Sequence, residues 1–248
     1  MSKIRDAMRK SENEYLPTGV PSQARPERPA EGPLGLVPSL SPEILAYYES
    51  VGKQIEVALG STTSRALLFT AAVGEEGVST VISQYAEMLS RRGERVLLVD
   101  GNPRHPSLHR IFNVQDSPGL AEFVGGTASR EAVVHATGFA NLSLIPLGRC
   151  SDRSQAERIT DALGEFLQGL SGLYDYVLVD MDFAGSAFLS RGAVACADGV
   201  VFVIRAGKTN RQVVGRSCDM VRRIGGQILG VVLNRRSFPI PEFIYRRL

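Results

Sequence analysis

Six short runs in this chain, 66–71, 95–100, 142–145, 176–180, 200–205 and 228–233, are apolar almost throughout, and segments of helical spacing near 78–92, 154–170, 186–195 and 209–224 separate them. A strand that is apolar at every position has no solvent face, so it belongs in a parallel sheet covered on both sides. The alternation therefore predicts an α/β, doubly wound, mostly parallel sheet, with one further helix over 42–58 leading into it. Ligands in such sheets gather at the carboxyl ends of the strands, which makes the residues after each run the ones to inspect. A chain of 248 residues with 44% hydrophobic content supports one sizeable core rather than two full domains.

Composition changes early in the chain. Seven of the 13 prolines lie between Pro17 and Pro42, where neither a helix nor a strand ladder can persist. Before them, Ile4, Ala7 and Met8 fall at helical spacing, so residues 2–13 read either as a short amphipathic docking helix or as a solvated tail. The expected organisation is a helix and Pro-rich linker, largely disordered, over 1–43, a globular domain over 44–236 and a tail over 237–248. The net charge of +2 is spread along the chain, which argues against nucleic-acid binding. The first residues lack the apolar centre of a signal peptide, and no uncharged apolar run approaches the roughly 18 residues of a membrane helix. The expectation is a cytoplasmic protein. Cys150, Cys196 and Cys218 are odd in number and widely spaced, which suits reduced thiols. His105, His109 and His135 have no metal-ligand spacing.

The first run is followed by TAAVGEEGVST, residues 70–80. A phosphate-binding loop of the form GxxxxGK[ST] wraps backbone N–H groups round the phosphates, adds a lysine for the β and γ charges, and places a hydroxyl on magnesium. Gly77 and Ser79 fit that form. Ala72 takes the first glycine position and Val78 the lysine position, while Glu75 and Glu76 bring negative charge to where phosphate oxygens would arrive. Taken alone, the stretch is equally a strand-to-helix turn with an incidental glycine. The second run ends in VLLVDGNPRHPSLHRIF and the fourth in YDYVLVDMDFAGS. Asp100 and Asp180 thus close two apolar strands at one edge of the sheet, where a buried carboxylate is costly unless it is paired or faces a cleft. Two such acids beside one loop suggest a magnesium and water site, the plainer reading of either alone being a helix N-cap.

With these stretches in view the chain resembles the bacterial tyrosine autokinases of capsule and exopolysaccharide synthesis, within the ParA- and MinD-like P-loop ATPases. The resemblance spans about residues 44–236. That family reads like TSALPGEGKST, VLLIDADLRRPSLH, DYVIIDTPP, an Asp-Gly pair opening a strand that ends near RAGKT, and GVVLNR. The corresponding stretches here are TAAVGEEGVST, VLLVDGNPRHPSLH, DYVLVDMDF, ADGVVFVIRAGKT and GVVLNR.

The resemblance implies ATP and Mg²⁺ as cofactors. Gly74, Gly77, Val78, Ser79 and Thr80 stand in the loop positions, Lys208 near the nucleotide, and Asn234 at the place expected near adenine. Asp100 and Asp180 stand as the acids, forming a magnesium set with Ser79. Several positions depart from the pattern: Val78 replaces the lysine, Asn102 the second acid of the DxD pair, Asp182 and Phe183 two prolines, and Leu189 an aspartate. Ala46, Glu49 and Gly52 replace the acid and two arginines of the helix that mediates ring assembly, so ring formation by that route is doubtful, while a homo-oligomer stays open as an expectation. The C-terminal tyrosine cluster is reduced to Tyr245, the candidate phosphoacceptor. Loss of one well-placed charge lowers a phosphoryl transfer roughly a hundred- to thousandfold. Only four lysines occur, Lys3, Lys10, Lys53 and Lys208, and Lys208, Arg104 and Arg205 are the candidate substitutes.

The preferred reading is a pseudokinase-like regulatory or scaffold subunit of exopolysaccharide synthesis and export. One alternative is an atypical Mg-ATP-dependent autokinase or ATPase acting on Tyr245. A second is a MinD-like positioning ATPase. By resemblance the partner is a transmembrane polysaccharide chain-length regulator or co-polymerase, through which the chain would reach the membrane.

Overall fold

Ser41 starts the first helix, α1 (Pro42–Leu59). Its hydroxyl accepts from the Ile44 N–H, Pro42 sits in the first turn, and Gly60 ends the helix at φ 71°. This helix comes from a computed structural model that describes residues 40–60, 65–170 and 172–235. The proposed helix at 2–13, the Pro-rich linker and Tyr245 lie outside the described residues.

The strands are β1 (Arg65–Ala71), β2 (Val96–Gly101), β3 (His135–Ala136), β4 (Leu142–Ile145), β5 (Tyr176–Met181), β6 (Gly199–Arg205) and β7 (Ile228–Asn234). Between them run α2 (Val78–Arg91), α3 (Leu108–Ile111), α4 (Leu120–Val124), α5 (Arg153–Gln168), α6 (Arg191–Cys196) and α7 (Arg211–Arg223). The sheet order is β3-β4-β2-β5-β1-β6-β7. Every pairing is parallel except β3 with β4. The expected doubly wound architecture is the one observed.

Alternation along β1 shows why its run is apolar throughout. Leu67 and Phe69 enter a core with Tyr48, Ile55, Ile82 and Tyr85. Leu68, between them, enters the opposite core with Ile159, Phe166, Val179 and Val194. Burying both faces of the strand removes most of its apolar surface from water, worth about 25 cal/mol per Å².

The structure differs from the sequence reading in three places. β3 was not expected, because two residues carry no periodicity, and the strand read as fourth is therefore β5. The short helices α3 and α4 were likewise not expected. The helix predicted over 186–195 begins only at Arg191, because Ser190 is extended and its hydroxyl accepts from the Ala193 N–H. The preceding residues are held in a turn in which Asp182 accepts from the Phe183 N–H at 2.9 Å and from the Ser186 hydroxyl.

Candidate functional site

Two adjacent central strands bring the acids together. β2 and β5 pair so that Asp100 lies opposite Asp180, and β1 places Phe69 opposite Asp180 from the other side. Strand adjacency alone therefore seats both carboxylates beside the loop that leaves β1. Asp100 is fully buried and Asp180 is 1% exposed.

Their hydrogen bonding is unequal. Asp100 Oδ2 accepts from the Ser107 and Leu108 N–H groups at 2.9 and 3.1 Å, and its Oδ1 from the Asn102 N–H at 3.3 Å. Asp180 Oδ2 accepts from the Ser79 hydroxyl at 2.5 Å, whereas its Oδ1 is buried without a partner. Burial pushes the Asp100 pKa up to about 6 against the pull of its three N–H donors. Burial, and after it the Asp100 charge, hold Asp180 well above the ordinary carboxylate value; the Ser79 hydroxyl opposes this and Asp182 adds to it.

The loop over 72–77 ends at Gly77, which adopts a left-handed φ of 87° as the N-cap of α2. The left-handed angle favours glycine there, and a Cβ would displace the Asn234 side-chain amide. Asn234 is committed to the loop, because its Nδ2 donates to the Glu76 carbonyl at 2.8 Å and its Oδ1 accepts from the Arg235 N–H. Val78 is partly buried and packs against the core on the α1 side. Thr80 is exposed in the first turn of α2 and Gly74 is exposed in the loop.

Glu76 does not stand free at the mouth of the loop. It is 2% exposed, and its Oε2 accepts from the Ala72 and Val73 N–H groups at 2.9 and 3.2 Å. Its Oε1 accepts from the Arg205 N–H at 3.1 Å and from the Thr209 hydroxyl. One carboxylate thus ties the loop to the turn after β6. Nothing in the sequence signalled this, since most of its donors are main-chain N–H groups. Glu75 is exposed at a left-handed φ of 64°.

The three candidate substitute cations stand differently. Lys208 and Arg205 line a cleft of about 190 Å³ with Gly74, Glu75, Asn210 and Val213, and its walls include none of Ser79, Asp100 and Asp180. Arg104 instead stands beside Asp182. Its Nε is 3.7 Å from Asp182 Oδ2 and its guanidinium lies 5.4 Å from the Phe183 ring centre. Asp182 follows Asp180 by two residues on the same face of an extended chain, a signal that was available in the sequence. Leu189 is partly buried against the second core, and Gly52 is buried where an added Cβ would touch Met88 and Tyr85.

The donors fit a magnesium ion in part: a hydroxyl beside a carboxylate with one orphaned oxygen suits a hard cation that keeps most of its waters. The shape fits an anion, since no side chain caps the N-terminus of α2. The charge does not fit a triphosphate, because an apolar side chain holds the lysine position and Asp182 is added nearby. Among the described residues no group of three or more His, Cys, Asp or Glu is arranged to hold a metal ion by itself.

A mostly parallel sheet whose first strand feeds a loop, a left-handed glycine and a helix, with an acid ending a neighbouring strand, is the architecture of the ParA- and MinD-like P-loop ATPases. Over residues 65–217 the chain matches the family model described as cellulose biosynthesis protein BcsQ, and it belongs to that family. It is 28% identical over 180 residues to the succinoglycan biosynthesis transport protein ExoP of Rhizobium meliloti, covering 71% of this chain and 23% of ExoP. It is 22% identical over 190 residues to the tyrosine-protein kinase CpsD of Streptococcus agalactiae, covering 76% and 82%. The kinase domain of the Escherichia coli tyrosine kinase ETK superposes with a TM-score of 0.72 at 21% identity, over 80% of this chain and 79% of that one. MinD of Pyrococcus horikoshii, solved with Mg-ADP, superposes with 0.62 at 23% identity, over 74% and 76%. The resemblance to bacterial tyrosine autokinases holds, and the BcsQ relationship is one the motifs did not single out. Among the described residues no helix is long and apolar enough to cross a membrane.

Proposed function

We propose that this chain is a regulatory or scaffold subunit of exopolysaccharide synthesis and export that keeps the nucleotide-binding fold without transferring phosphate. The observation that carries this reading is Val78, which occupies the lysine position and packs on the core. Transfer of a phosphoryl group relies on positioning and charge stabilisation, and the loop offers no side-chain cation for the outermost phosphate. Lys208 lines a cleft with Gly74 and Glu75 of the loop whose walls include none of Ser79, Asp100 and Asp180, and Arg104 lies 3.7 Å from Asp182.

If a nucleotide enters, the N–H groups at the start of α2 would hold its phosphates, and Ser79 and Asp180 would hold its magnesium, whose chemistry is to neutralise phosphate charge. The orphaned Asp180 Oδ1 favours a second reading, an atypical Mg-ATP-dependent enzyme acting on Tyr245. In either case the site is cytoplasmic, and the partner inferred by resemblance is a transmembrane polysaccharide co-polymerase, reached through residues 1–43.

A thermal-shift titration tests the choice, because a ligand that binds only the native state must raise its melting temperature. No shift at millimolar Mg-ATP, with a shift gained in Val78→Lys, supports the scaffold. A clear shift in the unaltered chain, followed by label transfer that Tyr245→Phe abolishes, establishes the kinase instead. Co-purification with and without residues 1–43 tests the partner contact.

A further inference from the structure

β7 ends the sheet, and its outer edge pairs with no strand among the described residues. The Asn234 carbonyl accepts from the Ala206 N–H on the β6 side at 2.9 Å. By strand alternation, the N–H and C=O groups of Val231 and Leu233 therefore point to the open edge. The side chains of these two residues are also exposed, at 44% and 46%. An edge of this kind invites a further strand unless something blocks it.

The sequence supplies a suitable strand two residues beyond the described edge. Residues 238–245 read Phe-Pro-Ile-Pro-Glu-Phe-Ile-Tyr. Pro239 and Pro241 are two apart, so in an extended chain they remove donors from one edge only. Phe238, Ile240 and Glu242 keep their N–H groups on the other. A segment patterned this way pairs through one edge and presents an edge that cannot donate, which closes a sheet instead of extending it. Arg235, directly after β7, has a left-handed φ of 54°, a backbone conformation used where strands reverse.

We propose that residues 237–245 fold back antiparallel onto β7 of the same chain, with Phe238 opposite Leu233 and Ile240 opposite Val231 across a four-residue turn. In this register the outward N–H and C=O groups of Val231 and Leu233 meet those of Ile240 and Phe238, and both prolines face away from β7. The docked segment runs from the carboxyl end of β7 back towards its start. Tyr245 is then held at the end of the sheet opposite Ser79 and Asp180. Docking thus withholds the tyrosine that a C-terminal autophosphorylation would use, whether or not nucleotide binds.

Amide hydrogen exchange tests the pairing on the full chain, on a chain ending at Arg236, and on Ile240→Pro, which deletes one inward donor. Exchange at Val231 and Leu233 at least tenfold faster in both variants than in the full chain is the expected result. Equal rates in all three overturn the proposal. A cross-link identifies the occupant and does not depend on the truncated chain folding. With Cys150, Cys196 and Cys218 changed to alanine, Val231→Cys combined with Ile240→Cys is expected to give a disulfide within the monomer on oxidation. A disulfide-linked dimer would assign the edge to a second copy and overturn docking within the chain, as would the absence of any disulfide.

Discussion

Asp100 and Asp180 stand opposite each other in the β2–β5 register, both buried, and among the described residues no lysine pairs with either. Burial holds each above its ordinary pKa, and for Asp180 the Asp100 charge adds to it. A group whose folded-state pKa is raised contributes stability that is complete below the unfolded value and is lost as pH rises through the folded one. For Asp100 that window runs from 3.8 to about 6, and for Asp180 it extends upward from 3.8.

Asp180→Asn is therefore expected to stabilise the magnesium-free protein at pH 8, and to change little at pH 4. Urea unfolding at both pH values measures this. Equal effects at the two pH values would show that the pair carries no strain of charge.

Ser79 supplies the hydroxyl that steadies Asp180. Ser79→Ala leaves both Asp180 oxygens without a partner, at a cost of about 1 to 3 kcal/mol at pH 8. The cost should shrink as the carboxyl becomes protonated at lower pH. A penalty independent of pH would mean that the hydroxyl matters through packing alone.

Glu76 accepts from three main-chain N–H groups and one hydroxyl drawn from two separate segments. Truncation in Glu76→Ala strands those donors, and a loss of roughly 2 to 4 kcal/mol is expected. Chemical denaturation that finds less than about 1 kcal/mol would remove Glu76 from its place as the tie between the loop and the turn after β6.

Glu75 occupies a left-handed conformation with its side chain exposed. A non-glycine residue there costs about 1 to 2 kcal/mol, part of which glycine returns as unfolded-state entropy. Glu75→Gly should raise the melting temperature by roughly 2 to 4 °C. A fall would indicate that the Glu75 side chain makes a contact more valuable than the strain it imposes.

Much of this arrangement was legible in the residues. The strands declared themselves because a strand buried on both faces must be apolar at every position, as Leu67, Leu68 and Phe69 are. Asp100 and Asp180 stood out because each ends such a run. The two-residue β3 and the Asn234 contact with Gly77 left no local trace, since both depend on neighbours far along the chain. Glu76 read as a charge opposed to phosphate, yet its carboxylate is saturated by N–H groups that any residue type would carry.

The amino-acid order by itself determined the layered sheet, the valine at position 78 and the two acids at strand ends, because burial patterns and residue identities are local properties. Only the tertiary structure decided which strands are neighbours. That placed Asp180 against Ser79 and opposite Asp100, set Lys208 in a cleft with Gly74 and Glu75, and put Arg104 beside Asp182. Distances between side chains remote in sequence follow from strand order and register, and these are fixed by the packing of the whole sheet.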